Sequence, residues 1–348
     1  MSTVYILGAG ATKAVAPRAP LMNDFLPLAF AHSAQDPRIR NVYEFVSDFY
    51  LGSPLPSDAQ SIQAILPRLE DVLSQLDLCV VQNRPLSANY PLQRVQALRE
   101  DLVYLIARLL KDTLEWLEMD RHATRDLAHC LTEEDAIISL NYDIIVDTAL
   151  AQEFGPRRVN YGVDIRLFYH WYPDEHYEPA RAHQAELSRD LYKLHGSLNW
   201  LYCPNCQALD VTLAEKGVLR IFDEEEAAVC LRCHLPYQAL IITPTLLKDY
   251  ANGLLLQVWR NAEERITRAD RVVFIGYSLA DADVEIKCMI KRATYNCWSQ
   301  RGQRPTVIVV DREGAGTEAE ERYRRLFGEI EYLPIGFTRY VRERIVGA

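Results

Sequence analysis

The chain has no surplus of positive charge. Its 38 Lys and Arg stand against 48 Asp and Glu among 348 residues, a formal net charge of −10. A phosphate-rich partner calls for clustered Lys and Arg, so direct nucleic-acid binding is not expected. Charged runs such as AEERYRR (319–325) mix both signs and read as a solvated helix face. No apolar run approaches the roughly 18 residues of a membrane span, so no membrane association is expected. The opening residues TVYILGAG (3–10) read as a strand, without the basic n-region or A-x-A-type site of a signal peptide. A cytoplasmic setting is therefore expected. There is no internal repeat and no low-complexity stretch.

With 49% hydrophobic residues, a sizeable core is possible, and the length suits one large domain or two ordinary ones. VYILGAGAT (4–12) is a buried strand breaking into a glycine turn. From 22 to about 132 the sequence turns helical. Residues 92–120 carry apolar side chains at 92, 95, 98, 102, 105, 106 and 109, the spacing of one helix face. Residues 57–78 read as a partner helix, kinked or restarted at Pro67. Strand signals return at 135–141, in the run ending LYKLHG, and at 239–243, 271–276 and 305–311. Helical patterns lie around 143–153, 249–269 and 281–295.

Short Val- and Ile-rich runs alternating with helices predict an α/β fold, a doubly wound parallel (Rossmann-like) sheet of about six strands. The core comprises 1–21, 133–199 and 239–348, with a helical insertion at 22–132 and a small cysteine-bearing module at 200–238, all one domain. Residues 170–190 are polar and proline-punctuated, a surface loop or hairpin.

Four constellations carry chemistry. In GAGATK the glycines suit either a phosphate cradle or an ordinary tight turn. The dinucleotide fingerprint lacks its third glycine, because position 13 is Lys13, and LPLAFAHS supplies no ribose-binding acid about 20 residues on. A standard dehydrogenase is disfavoured. In SLNYDII (139–145), Asn141 and Asp143 follow a buried strand at the end where open α/β sheets bind ligands. Asp143 suits the N-cap of the next helix, which leaves Asn141 without a structural task.

His195 of LHGS ends a strand, precedes a glycine and adjoins a Cys pair. A histidine titrates near neutrality and can act as a general base. His32, His122, His129, His170, His176 and His183 have no such surroundings. Lastly, CPNC (Cys203, Cys206) and CLRC (Cys230, Cys233) are separated by the 23 residues 207–229, and four thiolates at that spacing fit a closed structural Zn2+ site. His234 is not needed as a ligand. Cys79, Cys130, Cys288 and Cys297 sit in helical patterns and read as buried apolar residues.

Taken in order, these pieces resemble the sirtuins: a Gly-Ala-Gly turn, an Asn-x-Asp strand end, a His-Gly strand end, two Cys-x-x-Cys pairs, then FIGYSL (274–279) and VIVVDR (307–312). The likeness runs over about 3–315, interrupted by the helical insertion. It implies NAD as substrate and cleavage of the nicotinamide–ribose bond through an oxocarbenium-like transition state. His195 would then be the base toward the ribose hydroxyls. Asn141 would hold the ribose or the attacking group, with Asp143 beside it. Gly8, Ala9, Gly10 and Thr12 would cradle phosphate, and Gly276, Tyr277, Ser278 and Asp311 would lie on the adenosine side.

The departures are informative. Protein-deacylating sirtuins continue the turn with Gly-Ile-Pro-Asp-Phe-Arg, where this chain has KAVAPRAPLMNDF (13–25), and their peptide-clamping segment is replaced by TPTLLKDY (243–250). The pattern GAGATKA, NYD, LHGS and GYSLADAD looks like the sirtuin-like domains of bacterial antiviral defence systems, which hydrolyse NAD outright. That resemblance implies an NAD glycohydrolase. It also implies restraint by homo-oligomerisation or by a separate helicase-type ATPase or Argonaute-like partner; the helices of 57–120 either offer the assembly surface or pack both apolar faces on the sheet alone. The alternatives are a protein deacylase or ADP-ribosyltransferase with an altered peptide groove, and a non-catalytic module that binds NAD or ADP-ribose. Lys13 and Arg312 each suit an extra phosphate, which leaves NAD against NADP open.

Overall fold

The computed structural model describes residues 1–32, 35–54, 64–114, 122–168, 177–180, 188–212, 217–222, 228–242, 252–280 and 283–347. The chain divides into two compact units. One comprises Met1–Pro17, Leu117–Ile241 and Tyr250–Ala348, the other Arg18–Trp116 and Ile242–Asp249.

The first unit holds twelve strands among the described residues: β1 (Thr3–Leu7), β2 (Ala136–Ser139), β3 (Val159–Asn160), β4 (Ile165–Phe168), β5 (Tyr177–Ala180), β6 (Arg189–Lys193), β7 (Gly196–Cys203), β8 (Ala208–Thr212), β9 (Gln238–Ile241), β10 (Arg271–Ile275), β11 (Thr306–Val310) and β12 (Glu331–Leu333). Seven form one sheet in the order β12-β11-β10-β1-β2-β6-β3, parallel throughout. Every residue of β1 and β2 is buried, as expected of strands covered on both faces. The order reverses at β1, which lies between β2 and β10. In open α/β sheets such a switch point opens a crevice at the carboxyl ends of the strands.

The expected doubly wound α/β architecture is present, with seven strands instead of about six. β3 and β12, of two and three residues, are too short to show a periodicity. One expectation is corrected. The apolar run at 239–243 does not join the parallel sheet; β9 pairs antiparallel with β7 in a second sheet of order β5-β4-β8-β7-β9. Strand register is a tertiary choice that an isolated apolar run does not encode. The helices of this unit include Ile145–Phe154, Gly253–Arg268 and Val284–Arg301, near the expected positions. Of the segment 170–190, Tyr177–Ala180 is a strand, while 170–176 and 181–187 lie outside the described residues, as do His170, His176 and His183.

The second unit is helical. Its long helix Leu92–Leu114 buries Val95, Leu98, Leu102, Leu105, Ile106 and Leu109 on the predicted face, with Val103, Ala107 and Leu110 beside them. Helices Phe25–His32, Pro37–Phe45 and Leu69–Val81 all pack on it. Leu69–Val81 begins two residues after Pro67, as the restart predicts; 57–63 and 115–120 lie outside the described residues. Across the packed faces Arg38 reaches Asp101 at 2.9 Å and Arg99 reaches Asp77 at 2.5 Å, so the acids that the helices bury are paired.

The four unpaired cysteines are not all buried. Cys297 is, Cys79 and Cys130 are half-buried, and Cys288 is exposed, because a helical pattern leaves open which face is covered.

Candidate active site

The glycine turn is built around a neighbour. β1 ends at Leu7 and Gly8 caps the short helix Ala9–Val15. Gly8 donates its N–H to Ile275 O at 3.0 Å and Gly10 donates to Gly276 O at 2.8 Å. A Cβ on Gly8 would lie 2.6 Å from Gly276 O, and one on Gly10 would lie 2.8 Å from Gly276 Cα. Gly276 has φ +59, and a Cβ there would meet Ala11 N at 2.3 Å. Interlocking of the turns that end β1 and β10 therefore accounts for all three glycines. Two of the N–H groups a phosphate would want already donate within the protein.

Asn141 has the structural task that its sequence context withheld. Its Nδ2 donates to Gly8 O at 2.9 Å and to Thr12 Oγ1 at 3.0 Å. The buried Thr12 hydroxyl donates its own proton to Asp143 Oδ2, 2.6 Å away. Asp143 Oδ1 accepts from Ile145 N at 3.0 Å, but the N-cap position is Ile144. Asp143, the expected cap, thus stands one residue before the observed one and ties the helix start to the glycine turn.

His195 lies buried in the turn between β6 and β7. Its Nδ1 is 3.0 Å from Leu140 O. A carbonyl only accepts, so Nδ1 carries the proton and the neutral ring has its lone pair on Nε2. The flanking main chain is fixed as well: Leu194 N donates to Ser139 O at 3.1 Å, and Leu194 O accepts from Trp259 Nε1 at 2.8 Å. Gly196 is obligatory, because at φ +77 an added Cβ would lie 1.8 Å from Leu240 O. The Tyr142 ring lies 6.2 Å from the imidazole.

Two residues before His195, Lys193 belongs to a buried charged pair that sequence reasoning missed. Lys193 Nζ donates to Asp147 Oδ2 at 2.9 Å and to Asp143 O. Tyr161 Oη and Asn199 Nδ2 donate to Asp147 Oδ1 at 2.8 and 3.4 Å. Burial, with the Asp147 carboxylate beside it, holds the Tyr161 hydroxyl far above its ordinary value, so it remains a donor. A lysine inside a strand of buried neighbours was the available signal.

The remaining candidates follow β10 and β11. Tyr277 is buried; its hydroxyl donates to Asp283 Oδ2 at 2.8 Å, and its carbonyl accepts from Tyr323 Oη at 2.7 Å. Ser278 is exposed. Asp311 Oδ1 accepts from the N–H groups of Arg312 and Glu313 at 2.6 and 3.2 Å. Asp311, Gly276–Ser278, Gly8–Thr12, Asn141–Asp143 and His195 thus follow β11, β10, β1, β2 and β6, five consecutive parallel strands at their carboxyl ends. At about 4.8 Å between strands the row is roughly 19 Å long.

The four cysteines form a separate centre. The Sγ atoms of Cys203, Cys206, Cys230 and Cys233 all lie within 4.8 Å of one another, with contacts of 3.4–3.5 Å. A tetrahedron with Zn–S of about 2.3 Å has sulfur atoms about 3.8 Å apart, so the residues fit zinc and leave no open position. His234 is exposed and outside the cluster. Burial would raise the Cys230 thiol, but hydrogen bonds from Arg166 and from the backbone of Arg232 and Cys233 outweigh it and bring it down to about 6. Arg166 Nη2 stands 3.6 Å from Cys230 Sγ and forks onto Asp210, which also accepts from Tyr237 Oη. β7 starts beside His195 and ends at Cys203. Eight strand residues put the two roughly 25 Å apart, so closeness in sequence is not a shared site.

Residues 135–328 match the SIR2-like domain family. No curated protein matches the chain.

Proposed function

The chain belongs to the SIR2-like domain family, whose members are NAD-dependent enzymes, and on that premise we propose that it is an NAD glycohydrolase. The observation that carries the reading is the row of polar groups along five strand ends, closed at one end by a buried histidine of fixed tautomer. NAD is the substrate. The bond between the ribose anomeric carbon and the nicotinamide nitrogen breaks, water adds to the carbon, and one proton is released with nicotinamide and ADP-ribose. His195 Nε2 accepts that proton from the water or a ribose hydroxyl, a role worth about 10²–10⁴ in rate. Asn141 directs both amide hydrogens to Gly8 and Thr12 and presents its side-chain oxygen as an acceptor. Asp143 holds Thr12, and Asp311 marks the adenosine end. Cys203, Cys206, Cys230 and Cys233 would hold a structural zinc that braces β7.

Hydrolysis is favoured over deacylation by sequence: the Gly-Ile-Pro-Asp-Phe-Arg loop is absent from 13–25. The other rewritten segment, 243–250, lies outside the described residues. A constitutive glycohydrolase would exhaust its own cell's NAD, which supports a restrained defence effector, released by oligomerisation or by a separate activating protein. Exposed Phe49, Leu78 and Val81 in the helical unit offer apolar contacts for assembly.

The test is nicotinamide release from NAD by the purified chain, with and without an acetyl-lysine peptide, beside Asn141→Ala and His195→Ala. Release without peptide, lost in both variants, is the expected result. Release only with peptide would make the chain a deacylase. Tight NAD binding without turnover, alone or with candidate activators, would make it a binding module.

A further inference from the structure

We propose that the buried Lys193–Asp147 ion pair is a positioning device for His195: it clamps the loop 140–143 in the arrangement that keeps the imidazole proton on Nδ1. The inference rests on the reading of His195 as the base of the proposed hydrolase.

Lys193 is 0% exposed and Asp147 3%. Lysine is almost never fully buried unless paired, and a buried ion pair is on average no more stabilising than an apolar pair of the same shape. Stability alone therefore does not explain the arrangement, whereas its connections do. Lys193 ends β6, two residues before His195, and its ammonium bridges Asp147 Oδ2 and the main-chain carbonyl of Asp143. The neighbouring carbonyls are held from the same segment. Leu140 O accepts from His195 Nδ1 at 3.0 Å, and Tyr142 O accepts from Leu198 N at 2.9 Å.

Residues on both sides of Asn141 are thus gripped by 193–198. Asp147 is itself anchored on the helix Ile145–Phe154 by Tyr161 and Asn199. Without the ammonium the Asp143 carbonyl loses its donor, the loop can turn, and Leu140 O no longer dictates which ring nitrogen is protonated. The tautomer of a histidine is set by the bond its other nitrogen makes.

The experiment compares the wild type with Lys193→Met/Asp147→Asn, in which no buried charge is left uncompensated and the introduced amide oxygen can still accept from Tyr161. Two readouts are taken: the 15N resonances of the His195 ring, assigned by their loss in His195→Ala, and the kinetics of nicotinamide release. The wild type shows a single Nδ1–H tautomer. The folded double variant shows both tautomers, with kcat lower by about tenfold to a hundredfold and KM within about threefold of the wild type. A single tautomer and wild-type kcat in the double variant overturn the inference. A double variant that does not fold also overturns it, because the pair would then be a requirement of the fold. If the wild type releases no nicotinamide, alone or with candidate activators, the hydrolase reading falls, and the tautomer alone decides the clamp: mixed sustains it, single overturns it.

Discussion

Gly10 donates its main-chain N–H to the carbonyl of Gly276, 2.8 Å away, so the turns that end two adjacent parallel strands share a hydrogen bond as well as contact. A methyl group on Gly276 would lie 2.3 Å from Ala11 N at φ +59, whereas Gly302, at φ +72, has nothing within 4 Å of its virtual Cβ. Gly302→Ala bears only the cost of the left-handed conformation, about 1 kcal/mol. Gly276→Ala adds a backbone clash and costs about 3 kcal/mol. Chemical denaturation of the two variants checks this; equal losses would mean the turns do not interlock.

Asn141 acts as a double donor, to Gly8 O and Thr12 Oγ1. Asn141→Asp places a carboxylate against an accepting carbonyl and against a hydroxyl already donating to Asp143. Asn141→Ala merely removes the bonds. The charged variant is expected to be the less stable by about 1–3 kcal/mol, although it is closer in size and shape. A denaturation midpoint for Asn141→Asp at or above that of Asn141→Ala would reverse the donor assignment.

The four-thiolate centre should bind one zinc per chain, measured by metal analysis, and a chelator should lower the melting temperature. Arg166 reaches Cys230 Sγ at 3.6 Å and is held by Asp210. Arg166→Met is therefore expected to weaken zinc about 10- to 100-fold in chelator competition, the usual loss when an outer partner of a ligand is removed. Unchanged affinity would confine Arg166 to packing.

His122 is buried at the start of helix Ala123–Cys130, and neither ring nitrogen has a hydrogen-bond partner among the described residues. Burial lowers its pKa, with Asp126 opposing and Arg125 reinforcing the shift. The unfolded chain then binds the proton more readily. The contribution is full above the unfolded value of about 6.5 and is lost as pH falls through that value toward the folded one. The fall in melting temperature between pH 7.5 and 5.5 should be shallower in His122→Leu. An identical slope in the variant would show that this ring does not carry it.

Much of the architecture was legible because its signals are local. Short apolar runs ending in Gly-Ala-Gly, Asn-x-Asp, His-Gly and Gly-Tyr-Ser marked β1, β2, β6 and β10, since a strand buried on both faces has little choice of residue. The helix Leu92–Leu114 announced its face by periodicity. The run at 239–243 misled because β9 resembles the other apolar strands and only its partner β7 makes it part of a second sheet. Asp143 misled by one residue, because its carboxylate serves Thr12 as well as the helix.

By itself the sequence marked the candidates: four thiolates at metal-binding spacing, a histidine after a strand, and glycines where no side chain fits. Spacing and residue type are enough for these, because each property belongs to the residue or its near neighbours. Only the tertiary structure decided that groups from Gly8 to Asp311 stand in one row, that His195 and Cys203 sit at opposite ends of β7, and that Asn141 holds the glycine turn. It alone buried Lys193 against Asp147. Strand order and burial arise from pairings across more than a hundred residues, and no local pattern records them.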